Sequence, residues 1–160
     1  MLYLSREDIE RLVDMGEAVK ALDGAFARWS ELGSFNLPRR RPGGDAPNAG
    51  HVLGGGTPDG NYFGVRVTSS AIANVLLLLS VKDEGIAGVM DCQLLSEIRT
   101  GAASGVATKY LAREDSRVVG IIGSGKTAAR QLEAICVVRK IDKIKVFSRT
   151  DENQIGRAHV

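Results

Sequence analysis

Residues 117–150, RVVGIIGSGKTAARQLEAICVVRKIDKIKVFSRT, constrain this chain more than any other stretch. Residues 117–122 are a short β-branched run, the composition of a buried parallel strand. Gly123-Ser124-Gly125 follows as a turn that larger side chains would obstruct. The spacing predicts a helix from near Lys126, with Ala129, Leu132, Ile135, Cys136 and Arg139 recurring at three and four. Lys143–Phe147 reads as a second strand. Such a unit aims backbone N–H groups and a positive helix end at one point, which suits a phosphate.

Two nucleotide patterns fit the same residues. Gly123-x-Gly125-x-x-Ala128 is a dinucleotide fingerprint with alanine in the third place. Residues 120–127, GIIGSGKT, also satisfy the P-loop pattern, in which Lys126 and Thr127 would hold nucleotide phosphates and magnesium. Strand length favours the dinucleotide reading, because a P-loop starting at Gly120 leaves only Val118 and Val119 as the strand. At the end of the second strand, an Asp or Glu would accept from a ribose 2′-hydroxyl and favour NAD. This chain has Ser148-Arg149-Thr150 there, and a cation flanked by hydroxyls suits the 2′-phosphate of NADP.

The 160 residues have room for one domain, or one and a piece of another. A net charge of +2 is too small to argue for nucleic acid or an acidic membrane surface. Aromatics are only 5% of the chain, too few for a base-stacking surface. Cys92 and Cys136, the two cysteines, read as buried free thiols, and His51 and His159 are isolated, so no metal site is expected. No apolar run is long enough for a bilayer and the start carries no secretory pattern. A cytoplasmic location is expected.

Elsewhere, Ser5-Arg6-Glu7-Asp8 resembles a capping box before a short helix that Met15-Gly16 breaks. A second helix is expected to run to about Leu32 and to stop at Gly33, with Trp29 in the core. Residues 36–58 hold all four prolines and read as irregular. Within them Arg39-Arg40-Arg41 is either a solvated loop or the source of a carboxylate clamp. Residues 62–69 alternate as a half-buried strand with Arg66 on its polar face. Residues 75–81 and 86–90 form an antiparallel hairpin, and Asp91 caps a helix running to about Arg113. Gly101, Ala102, Ala103, Ser104 and Gly105 give that helix a small-residue middle, which implies close approach of another backbone or of a cofactor.

The stretches LSEIRTGAAS (95–104), ATKYL (107–111) and VGIIGSG (119–125), at their joint spacing, resemble the ornithine cyclodeaminase/mu-crystallin family. The resemblance covers about residues 1–150. It implies an α/β chain: an N-terminal α+β substrate and dimerisation portion with its linking helix (1–112), then the first βαβ unit of a Rossmann, doubly wound parallel-sheet domain (113–153), truncated. It further implies an NAD- or NADP-dependent oxidoreductase acting on an amino-acid-derived imine or amino acid, or a cyclodeaminase-like lyase, and a homodimer when full length. A non-catalytic NADP- or small-ligand-binding protein is the alternative within the family. By resemblance, Arg40, Arg66 and Arg99 would hold the substrate carboxylate, with Arg66 in the catalytic position. Arg99 and Thr100 would lie close to the cofactor. Gly123, Ser124, Gly125, Lys126 and Thr127 would hold its pyrophosphate, and Ser148, Arg149 and Thr150 its adenosine ribose.

Three departures from the family pattern stand out. Arg66 falls where many members have a catalytic lysine, and arginine does not exchange its proton at ordinary pH. Leu53-Gly-Gly-Gly56 offers no carboxylate where the ornithine-cyclising members place a glutamate. The segment from Ser69 to Val75 is short. Residues 154–160, QIGRAHV, match no motif of the family and read as a non-native tail encoded by a sequencing adapter, which makes the chain an N-terminal fragment.

Overall fold

The computed structural model describes residues 1–31, 33–41, 50–57, 61–69 and 74–149. In chain order the elements are β1 (Leu2–Leu4), α1 (Arg6–Leu12), α2 (Met15–Ala27), β2 (Phe35–Arg40), β3 (His51–Thr57) and β4 (Tyr62–Thr68). They continue with β5 (Asn74–Ser80), β6 (Gly85–Asp91), α3 (Gln93–Leu111), β7 (Val118–Ile122), α4 (Lys126–Val138) and β8 (Lys143–Phe147). The chain divides into two compact units, residues 1–12 with 27–95 and residues 13–26 with 96–160. The division falls inside α3.

The first unit is a six-stranded mixed sheet of order β1-β6-β5-β4-β3-β2. β2 to β6 pair antiparallel in sequence order, and β1 adds in parallel to β6. The capping box is present: Asp8 N–H donates to Ser5 Oγ at 3.2 Å and Ser5 N–H returns to Asp8 Oδ2 at 3.0 Å. The expected hairpin of β5 and β6 is there too. β1, β2 and β3 are not where the sequence placed strands. Pro38 sits in β2, where proline is tolerated because β2 is an edge strand and its register shifts between Leu37 and Arg40. Gly54, Gly55 and Gly56 lie in β3 against backbone: a Cβ on Gly56 would meet Tyr62 O at 2.8 Å. The Phe35 and Phe63 rings stack at 5.5 Å between centroids, and the ring of Phe35 lies 3.4 Å from that Cβ position.

In the second unit, β7, α4 and β8 form the strand–helix–strand unit at the expected boundaries, with β7 and β8 parallel. Two strands and one helix leave much of this sheet uncovered, so β7 is not the buried strand its composition suggests: Ile122 is 90% exposed and Val118 55%. α2 begins at Met15 after an Asp14 cap, whose Oδ1 accepts from Glu17 N–H at 3.1 Å. Gly16 therefore lies inside α2, not at a break. α2 ends at Ala27, before Trp29, which is 47% exposed instead of buried, while Leu32 is outside the described residues. Gly33 has φ of 57°, the left-handed conformation expected of a stop. Cys92 is buried as expected, but Cys136 is exposed.

The small residues of α3 seat it on α4. A Cβ on Gly101 would lie 2.3 Å from Arg130 O, and one on Gly105 would lie 3.1 Å from Ala134 and from Val19 of α2. Of the two partners left open for this stretch, another backbone is the one observed. Arg139, just past α4, then closes the end of α3. Its guanidinium donates to the carbonyls of Lys109 and Ala112 at 2.9 Å each, and to that of Arg113 at 3.2 Å. The carbonyls of Lys109 and Ala112 are at the end of α3, where helical donors run out, while that of Arg113 also accepts from Ser116 N–H at 3.2 Å; a cation also suits the negative helix end. Arg139→Ala is expected to cost about 1–2 kcal/mol, read as a lower urea midpoint, with Arg139→Lys recovering only part because one ammonium does not span three carbonyls.

Candidate functional site

β7 delivers the chain to a turn of three residues. Gly123 has φ of 99°, a conformation side-chain-bearing residues rarely adopt, and its N–H donates to Phe147 O at 2.7 Å. Ser124 Oγ donates to Ser148 Oγ at 3.1 Å, which ties the turn to the end of β8. Gly125 is the N-cap of α4, with no side-chain hydrogen bond to the helix end, and Ala128 N–H returns to Gly125 O at 3.0 Å. A Cβ at Gly123 or Gly125 would meet nothing within 4 Å. The positive end of a 13-residue helix thus opens onto free space beside two glycines. Lys126 and Thr127, the first residues of α4, are exposed there. Beneath the turn, Ile121, Ala128, Leu132 and Val146 line a small apolar hollow.

The P-loop pattern fails on this geometry. Gly120, Ile121 and Ile122 belong to β7 and pair with Lys145, Val146 and Phe147. A phosphate loop starting at Gly120 would need those residues as loop, whereas the dinucleotide pattern needs only the turn that is present.

Arg99 and Thr100 lie on α3 within the same unit. The Gly101–Arg130 and Gly105–Ala134 contacts keep one offset, so α3 and α4 run side by side in the same direction. Arg99 and Thr100 therefore fall alongside the first turn of α4. Thr100 Oγ1 donates to Ser96 O at 2.7 Å, and Arg99 reaches Ser96 Oγ at 3.3 Å. Arg149 is exposed beyond β8, and Thr150 lies outside the described residues, as does 154–160.

Arg40 and Arg66 belong to the six-stranded unit. Arg66 opposes Leu53, while Arg40 opposes Val52, so the register assigns the two arginines to opposite sheet faces. Arg66 Nη2 donates to Asn74 Oδ1 at 3.4 Å, and Asn74 Nδ2 donates to Gln93 Oε1. His51, not singled out from the sequence, shares the Arg66 face and opposes Thr68. Burial holds its pKa below the ordinary 6.5, and Arg41, Arg39 and Arg66 lower it further.

An open glycine turn between parallel strands, at the start of a helix flanked by a second helix, defines a Rossmann-type βαβ unit joined to a mixed-sheet unit. Residues 57–158 match the profile of the ornithine cyclodeaminase/mu-crystallin family. The chain belongs to that family. It is 33% identical over 161 aligned positions to an alanine dehydrogenase of Archaeoglobus fulgidus, covering 91% of this chain and 48% of that protein. It is 29% identical to a Delta(1)-pyrroline-2-carboxylate reductase of Bacillus cereus, covering 95% of this chain and 50% of that one. The Thermococcus litoralis Delta(1)-pyrroline-2-carboxylate reductase, solved with NADH and L-proline, superposes with a TM-score of 0.88 at 34% identity, over 99% of this chain and 52% of that one. An archaeal alanine dehydrogenase dimer with bound NAD gives a TM-score of 0.88 at 27% identity, over 98% and 51%. The chain spans about half the length of these relatives. No helix among the described residues is long and apolar enough to cross a membrane.

Proposed function

We propose that this chain carries the substrate-side portion and the first dinucleotide-binding unit of an NAD- or NADP-dependent oxidoreductase acting on an amino-acid-derived imine or amino acid. The observation that carries the reading is the unblocked N-terminus of α4 behind Gly123 and Gly125, in a family whose relatives have been solved with NADH and NAD. The backbone N–H groups at Gly125, Lys126 and Thr127 hold the pyrophosphate, and Ser124 and Ser148 set the distance from that turn to the ribose. Arg149 meets the ribose, and Arg99 and Thr100 stand at the cofactor's other side. The bound nicotinamide supplies or accepts the hydride. Arg66 orients the substrate carboxylate, and positioning of this kind accounts for much of the rate in such enzymes. Arg66 stays protonated, so it anchors and polarises but does not exchange a proton. The protein works as a homodimer, as the archaeal alanine dehydrogenase is described.

The first test is saturable binding of NADH and NADPH to the 160-residue chain, followed by nicotinamide fluorescence, with ATP–Mg failing to compete. Arg149→Ala is expected to weaken NADPH about tenfold, the size of one charge-assisted contact, and to leave NADH within about twofold. Equal losses for the two cofactors would remove Arg149 from the 2′-phosphate. Assay of the complete gene product with a reduced cofactor and cyclic imino acids tests the chemistry. A lack of cofactor oxidation across imines, and across keto acids with ammonia or amines, would count against it.

A further inference from the structure

We propose that His51 and Thr68, opposed across β3 and β4 on the sheet face that carries Arg66, form a binding subsite for a carboxylate group of the ligand. The proposal deepens the reading above and rests on it for the ligand being amino-acid-derived, but the subsite lies wholly within the six-stranded unit.

The register makes the pair. His51 opposes Thr68, Thr68 opposes Asn74 on β5, and Arg66 lies two residues before Thr68 on the same face. Directly opposed side chains start about 5 Å apart. In this row His51 Nδ1 and Thr68 Oγ1 are shut off from solvent and have no hydrogen-bond partner among the described residues. Buried polar atoms are rarely left in that state, since each costs the desolvation of its group. Two such atoms on directly opposed residues imply a guest that satisfies both.

The surroundings define the guest's chemistry. Arg39 and Arg41, at the end of β2, and Arg66 on β4 all act on His51 as positive charges. Asn74 on β5 is bonded to Arg66 and to Gln93 of α3. Asp91, at the end of β6, spends Oδ1 on the N–H of Gln93 at 3.0 Å. Arg40 is assigned by the register to the opposite face. Guanidinium groups only donate, and both orphaned atoms are able to donate, Nδ1–H in one tautomer of the imidazole. The guest is therefore acceptor-rich and negatively charged. A carboxylate accepts from His51 and Thr68 together and offsets the arginines.

The 160-residue chain has two histidines, His51 and His159, so each ring proton signal is followed separately by NMR and assigned with His51→Gln. Without ligand, His51 is expected to titrate below 6.5. Sodium pyruvate at constant ionic strength favours the imidazolium and is expected to raise that midpoint while leaving His159 in place. Thr68→Val is expected to lose at least half of the shift, and Thr68→Ser, which keeps the hydroxyl, to retain it. A His51 midpoint that pyruvate does not move, or equal movement of both histidines, overturns the proposal. Parallel NADH titrations separate the two readings. Cofactor binding without a His51 response sinks the subsite alone. A His51 response without cofactor binding sinks the oxidoreductase reading and leaves a carboxylate subsite.

Discussion

Gly101→Ala is expected to destabilise the chain by about 2 kcal/mol, even though alanine is the better helix former. The new Cβ would lie 2.3 Å from the carbonyl oxygen of Arg130 and 2.6 Å from its carbon, both backbone atoms of α4. A backbone carbonyl inside a helix cannot turn aside, so α3 and α4 must separate. Overpacking of this kind costs about 1–3 kcal/mol and sometimes more, and the helix propensity gained by removing glycine returns about 1 kcal/mol. Gly101→Val adds more bulk without that return and is expected to cost more. Gly24 is the control, because it lies within α2 of the same unit and a Cβ there meets nothing within 4 Å. Gly24→Ala should be neutral or stabilising by about 0.5–1 kcal/mol. Urea unfolding followed by circular dichroism reads all three. A Gly101→Ala chain as stable as Gly24→Ala would mean that the two helices do not meet at this distance.

The second large effect separates binding from folding. Gly125 has φ of −69° and ψ of 171°, which any residue adopts, and space around its Cβ position. Gly125→Val should leave stability within about 0.5 kcal/mol while weakening NADH and NADPH at least tenfold, because its side chain occupies the space a pyrophosphate needs. Gly123→Ala behaves differently. Its φ of 99° is strained for alanine, at about 1–2 kcal/mol, so stability and binding fall together. Cofactor fluorescence titrations beside urea curves distinguish the two variants. Undiminished cofactor affinity in Gly125→Val would show that no ligand approaches the turn, and the proposed nucleotide site would fall with it.

The unit from β7 to β8 was legible because three local signals agree there: a β-branched run, paired glycines and a change to helical spacing. β2 and β3 were illegible for the opposite reason. Pro38 and the glycines at 54–56 signal loop when read locally, and only an edge position and close backbone neighbours make them strand residues. Trp29 continued an apolar helical pattern, yet α2 stops before it and leaves it half exposed. Arg139 gave no signal as a cap, since the carbonyls it closes lie 26 to 30 residues earlier. Within the candidate site, Gly123, Gly125 and Ser148 could be read from the motif and its distance to the strand end. His51 and Thr68 could not, because they meet only through the pairing of β3 with β4.

The sequence by itself determined the βαβ unit, its open turn and the family, since each rests on residues close together in the chain whose conformational preferences are local. Tertiary structure alone decided that Gly101 and Gly105 serve backbone packing, that the glycine turn is too short for a P-loop, and that His51 faces Thr68 beside Arg66. Those outcomes depend on strand register and helix offset, which are set by the burial and hydrogen bonding of many distant residues at once.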